Sequence, residues 1–156
     1  MNLPNTISAA VAPLFEHLPL DEAMPGLVVS RPTGGEAAGL AEAAVNDPAI
    51  QANPALVAGI WLYVDDLDRS HAISQDMHDP TGSFWHGIMH RREGDFSNSH
   101  YWFRKAGNHP AMAAIEGYDS HGFIDEVAAR HREGAPELVD LQRREWAALF
   151  EWCAAQ

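Results

Sequence analysis

TGSFWHGIMHRREGDFSNSHYWFRKAGNHP, residues 81–110, decides how the rest of the chain is read. Its punctuation predicts a hairpin of two helices, from about Ser83 to Glu93 and from near Ser97 to Gly107. Gly94-Asp95 makes the turn, and Pro110 blocks any continuation. The stretch holds His86, His90, His100 and His109, and three rings in a row at Tyr101, Trp102 and Phe103. Arg91, Arg92, Arg104 and Lys105 are 4 of the 10 basic residues in an otherwise acidic chain.

Working outward, Pro54 suits the first turn of a long helix, because its missing N–H would be unpaired there anyway. Leu56, Ile60, Val64, Leu67 and His71 recur at spacings of three and four, so they share one face of a helix that should end near Met77. Glu36 to Val45 is alanine-rich and reads as a helix closed by Asn46-Asp47-Pro48. In residues 1–35, Ile7 to Phe15 suggests a short helix. Leu27-Val28-Val29 suggests a short edge strand or an extended arm over the helices. Downstream, Ser120 can cap a helix from Gly122 to Arg132. Pro136 opens a last amphipathic helix to Cys153, with Leu138, Leu141, Ala148, Leu149 and Trp152 facing inward.

Composition agrees. There are 25 alanines against 18 valines, isoleucines and threonines together, and alanine favours helix where β-branched residues favour strand. The expectation is an all-α fold, a single-domain bundle of five to seven helices over residues 36–156, with an irregular N-terminal arm over residues 1–35.

At 156 residues and 46% hydrophobic, the chain can bury a core without disulfides or a structural metal. Lys+Arg of 10 against Asp+Glu of 22 gives a net charge of −12. That field repels phosphate backbones and anionic lipids, so neither nucleic acid nor a membrane surface is an expected partner. One cysteine, Cys153, excludes an internal disulfide and any Cys-rich metal site, and its apolar setting predicts an inert buried thiol. No apolar run reaches the ~18 residues of a membrane span. The N-terminal stretch has no basic region and is interrupted by Pro4, Pro13 and Pro19, unlike a signal peptide. A soluble cytoplasmic protein is expected, with self-association left open.

Histidine is the anomaly: nine in the chain, six of them between positions 71 and 109. His86 and His90 are one helical turn apart on one side, the spacing by which a single helix gives two imidazoles to one metal ion. Glu93, three residues on, is a candidate third ligand or catalytic base. The position after the first histidine, where zinc proteases carry glutamate, is Gly87, so that class is not supported. His71 is in phase with the core-facing stripe of the preceding helix. Antiparallel packing across Asp79–Gly82 would bring it to His86. His71, His86 and His90 then form a ligand set for a divalent metal (Zn, Fe or Ni), with His109 as a fourth member and open positions for water. Metal affinity is expected to fall between about pH 7 and pH 5, approaching two protons taken up per metal released. The structural alternative is a core histidine bonded to a carbonyl at position 71 and a polar seam at 86 and 90.

Arg91, Arg92, Arg104 and Lys105, with the Trp102 and Tyr101 rings, suggest instead a pocket for a small polar or anionic molecule, in an enzyme or in a non-catalytic binding domain. Cations in a last helical turn also suit the dipole, the preferred reading for Lys105. Asp65, Asp66 and Asp68 read as a solvated face.

Two resemblances attach to this stretch. WHGIMHRREGDFSNSHYWFRKAG resembles one tetratricopeptide or Sel1-like helical hairpin, in which a helix ends at a Gly-Asp turn and the next carries an aromatic–Phe–Arg–Lys–Ala ending. That implies a hairpin and not a repeat array, which needs about three units. The Trp-His-x-Ile-Met-His-Arg-Arg-Glu pattern also resembles a signature of a family of uncharacterised bacterial proteins. It spans the middle third of the chain and implies no activity.

Overall fold

The computed structural model describes residues 1–156 and contains helices and no strands. The helices are α1 (Asn5–His17), α2 (Gly35–Val45), α3 (Pro48–Gln51), α4 (Pro54–Tyr63), α5 (Leu67–Ser74), α6 (Pro80–Glu93), α7 (Phe96–Ala106), α8 (Ser120–Arg130) and α9 (Pro136–Ala154). Nine helices exceed the expected five to seven. Short 3-10 turns follow α7 and α8, at Pro110–Ala114 and His131–Glu133.

The extra helices have local causes. Asp47 caps α3 and Asn53 caps α4, each with proline at the first helical position, so residues 46–53 make a separate turn of helix. The long helix expected from Pro54 to Met77 breaks at residues 64–66. Asp65 adopts a left-handed backbone (φ 60°), and its carboxylate pairs with Arg92 at 2.6 Å. Asp66 then accepts from the Arg69 N–H at 3.2 Å and caps α5. Short acidic side chains offer the backbone a competing hydrogen bond, and here that bond restarts the helix. Asp65 is accordingly buried rather than solvated.

The N-terminal residues share the main core. Ile7, Val11 and Leu14 of α1 are buried with α4, α6 and α9, and Phe15 meets Trp146 edge-on at 6.0 Å. The strand reading of Leu27–Val29 is corrected in favour of the extended arm. Val29 N–H donates to the Arg92 carbonyl at 2.8 Å, and no second strand lies beside it. Gln142 and Arg143 of α9 donate to carbonyls of Ala23, Met24 and Gly26, which ties the arm down. Leu27 fills a smaller core cluster with Phe123, Val127, Leu138 and Val139.

Helix α6 is the centre of the fold. Every residue from Thr81 to Arg92 is buried, which explains why its sequence shows no clean apolar stripe: it is enclosed on all sides. Asp79 caps it, accepting from Gly82 N–H at 2.7 Å, and Gly94 ends it in the left-handed conformation (φ 88°) that glycine tolerates best. Gly87 lets α7 approach. A Cβ there would lie 2.7 Å from the Phe103 ring, and Ser99 Oγ donates to the Gly87 carbonyl at 2.7 Å. No helix is long and apolar enough to cross a membrane.

Candidate metal centre

Three helices bring the site together. His71 comes from α5, His86 and His90 from one side of α6, and Trp102 from α7. The His71 ring centroid lies 4.7 Å from that of His86 and 5.5 Å from that of His90. The His86 and His90 rings stack at 4.8 Å. One ring nitrogen from each of the three lies within 4.8 Å of the other two. Nitrogens bound to one tetrahedral zinc sit about 3.4 Å apart, given Zn–N distances near 2.0–2.1 Å, so small side-chain rotations close the set. Although the helix carrying His71 is broken, α5 still packs on α6 and presents that ring to His86.

His86 is 3% exposed, and its Nδ1 is enclosed without a hydrogen-bond partner. Burial lowers its pKa to about 3, helped by the neighbouring His90 and His71 and by the charge of Lys105, while the Ser74 carbonyl works in the opposite direction. The ring is therefore neutral at physiological pH, the state in which imidazole ligates metal. This corrects the expectation that His86 and His90 both compete for protons with a metal between pH 7 and pH 5. His86 stays neutral across that window and takes up no proton there.

His90 is held differently. Its Nδ1 lies 2.9 Å from Glu93 Oε1. A carboxylate acceptor takes the hydrogen bond of Nδ1–H, so in the neutral ring Nε2 keeps the lone pair. Glu93 thus stands where a carboxylate would orient His90 as a ligand. Glu93 also belongs to a second, more exposed grouping with His90 and Asp95.

Trp102 stacks on His86 at 3.9 Å, with ring planes 12° apart. Lys105 Nζ sits 4.6 Å above the Trp102 ring. Together with His78, Asp79 and Ser83 they line a cleft of about 260 Å³ beside the cluster. Lys105, weighed from sequence for an anion pocket but read in preference as a dipole partner, is the residue that the preferred reading passed over. Only the i, i+3 relation of Trp102 and Lys105 on α7 hinted that they share a side.

The other candidates lie elsewhere. His109 is corrected as a fourth ligand. Its Nδ1 accepts from Ala111 N–H at 3.2 Å and caps the 3-10 turn, while Nε2 meets Thr81 Oγ1 at 3.1 Å. Both nitrogens are spent, and the ring packs edge-on to Trp152. Arg91 and Arg92 are corrected as anchors for an anionic ligand. Both are fully buried. Arg91 makes a two-point pair with Glu145, one arm at 2.9 Å, and lies 4.1 Å above the Phe123 ring. Arg92 pairs with Asp65 and donates to the carbonyls of Leu62 (3.0 Å) and Gly26 (3.1 Å). Arg104 lines a different cavity, on the α8 side of α7. Cys153 is buried, and desolvation pushes its thiol up to about 12, so it is inert.

Comparison of the chain with protein-family models, curated proteins and solved structures found no match. The reading of the site rests on its chemistry alone.

Proposed function

We propose that this protein binds one divalent metal ion (Zn, Fe or Ni) through His71, His86 and His90. The observation that carries the reading is the enclosed, unpartnered Nδ1 of neutral His86, in a ring packed against two further imidazoles. A buried acceptor without a partner costs about 1–3 kcal/mol, and a metal ion is the partner that this donor set suits. Glu93 orients His90, and Trp102 fixes the plane of the His86 ring.

Three protein nitrogens leave coordination positions open, which is the pattern of catalytic rather than structural zinc. Held by His71, His86 and His90, such a metal would supply Lewis-acid activation of water near neutral pH. The substrate class that suits the neighbouring cleft is a small polar or anionic molecule, with Lys105 as its charge partner. A cytoplasmic setting fits the acidic composition. The rival reading, a non-catalytic binding domain, treats the hairpin of α6 and α7 as scaffold.

Elemental analysis of the chain purified without a histidine tag tests the proposal. Close to one equivalent of metal is expected, lost in His86→Ala. Metal held at 100 times its dissociation constant should raise stability by about 2.7 kcal/mol, and His71→Leu should abolish that shift. Protein free of metal from every growth medium, with no thermal shift on adding zinc, iron or nickel, would falsify the reading.

A further inference from the structure

A second histidine cluster lies on the opposite side of α7 and shares no residue with the metal centre. His100 of α7 and His121 of α8 face each other with Nδ1 atoms 2.8 Å apart and ring planes within 6°. The other nitrogen of His100, Nε2, lies 3.0 Å from Asp125 Oδ1.

These three groups fix each other's protons. The carboxylate only accepts, so His100 Nε2 carries the hydrogen and, in the neutral ring, Nδ1 accepts. His121 must then donate from Nδ1, which leaves a bare lone pair on its Nε2. His121 lines a cavity of about 480 Å³ together with Arg104, Asn108, Asp119 and Ser120. Arg104 is the only Lys or Arg in that wall. Asp119 already accepts from the His121 N–H at 3.1 Å and has no proton to offer.

The wall therefore presents one cation and at least two pure acceptors. A fully deprotonated oxyanion satisfies Arg104 but sets its oxygens against the His121 lone pair and the Asp119 carboxylate. An oxyanion that retains a hydroxyl satisfies both, accepting from Arg104 and donating to His121 Nε2. From this geometry we propose that the cavity is a binding site for inorganic phosphate, and that it selects against sulfate. Inorganic phosphate carries at least one proton at neutral pH and sulfate carries none. The discrimination is a lone pair opposed to a lone pair, a penalty on the wrong ligand rather than an added contact to the right one.

Calorimetric titration of the full-length protein with inorganic phosphate and with sulfate at pH 7, before and after treatment with a chelator, tests this. Phosphate should bind saturably in both preparations, with sulfate at least about tenfold weaker. Arg104→Gln, at an exposed position, should lose phosphate binding. Asp125→Asn can either donate to or accept from His100, so the proton order is released. That variant should still bind phosphate through Arg104, but its preference over sulfate should collapse. Long-range nitrogen NMR should report the Nε2–H tautomer at His100 and the Nδ1–H tautomer at His121. The proposal is overturned by sulfate binding as tightly as phosphate, by phosphate binding that survives Arg104→Gln, or by no phosphate binding at all. Binding lost with the chelator overturns it too, since the anion would then sit on a metal.

Discussion

His86 and Arg91 lie five residues apart on α6, both are buried, and they meet opposite surroundings. Arg91 is clasped by Glu145, which also accepts from the Tyr118 hydroxyl, and Arg92 beside it is held by Asp65 and two carbonyls. His86 is packed between Trp102 and His90 with one nitrogen unpartnered. Each arginine keeps an unpartnered Nε as well, but its charge is met by a buried carboxylate, and burial of a charge is tolerated where it is so paired, so the arginine side of the helix is architecture. A side chain that can shed its proton is buried neutral instead, and its lone pair stays available for chemistry.

The largest effect should come from breaking the arginine side. Arg91→Met leaves Glu145 buried and uncompensated, and should cost about 3–5 kcal/mol in a denaturant titration. Arg91→Met combined with Glu145→Leu should recover most of that loss. If the double variant is no more stable than the single one, the pair is not the unit that matters.

Acid should act on the histidine side. Unfolded, His86 takes up a proton near pH 6.5, and folded it stays neutral to about pH 3. The unfolded chain thus binds more protons across that window, and stability falls as pH falls through it. Burial lowers His109 as well and adds in the same direction, although Asp79 opposes it. For His86, melting curves in the presence of a chelator should show a loss approaching 2 kcal/mol between about pH 6.5 and pH 5, and His86→Ala should flatten the slope. An unchanged slope in that variant would mean that other groups carry the acid sensitivity.

Between the two sides, Gly87 sets the distance from α6 to α7. Gly87→Ala drives a methyl against the Phe103 ring and should cost about 1–2 kcal/mol. It should also weaken metal binding, because Trp102 rides on the displaced helix. A stable Gly87→Ala protein with unchanged affinity would uncouple the hairpin from the site.

The smallest effect expected is at Glu93. Glu93→Gln retains a hydrogen bond to His90 but removes the charge behind it. Zinc affinity should drop about tenfold with little change in the stability of the metal-free chain. A complete loss of binding would identify Glu93 as a direct ligand.

Local punctuation made most of the helices legible. Pro54, Pro110 and Pro136, with Gly94 and Gly107, bound the observed elements closely, because caps and forbidden backbone angles act within a few residues, while α6 begins at Pro80, inside the expected connection. His86 and His90 sharing a side followed from helical spacing, and His71 joining them followed from a short connection. The break at Asp65 was not legible. The group that holds it, Arg92, is 27 residues away, and an Asp-Asp pair in helical phase looks like a solvated face.

The amino-acid sequence by itself determined the all-helical character, the hairpin of α6 and α7, and the pairing of two imidazoles at i, i+4. These depend on propensity, period and capping, which are properties of neighbours in the chain. Tertiary structure alone decided the charge state and duty of each polar side chain. It buried Arg91 against Glu145, 54 positions away, spent both nitrogens of His109, and brought Lys105 to the histidines. It also aligned His100 and His121. Partners distant in sequence set desolvation and charge pairing, and those two quantities separate a structural group from a reactive one.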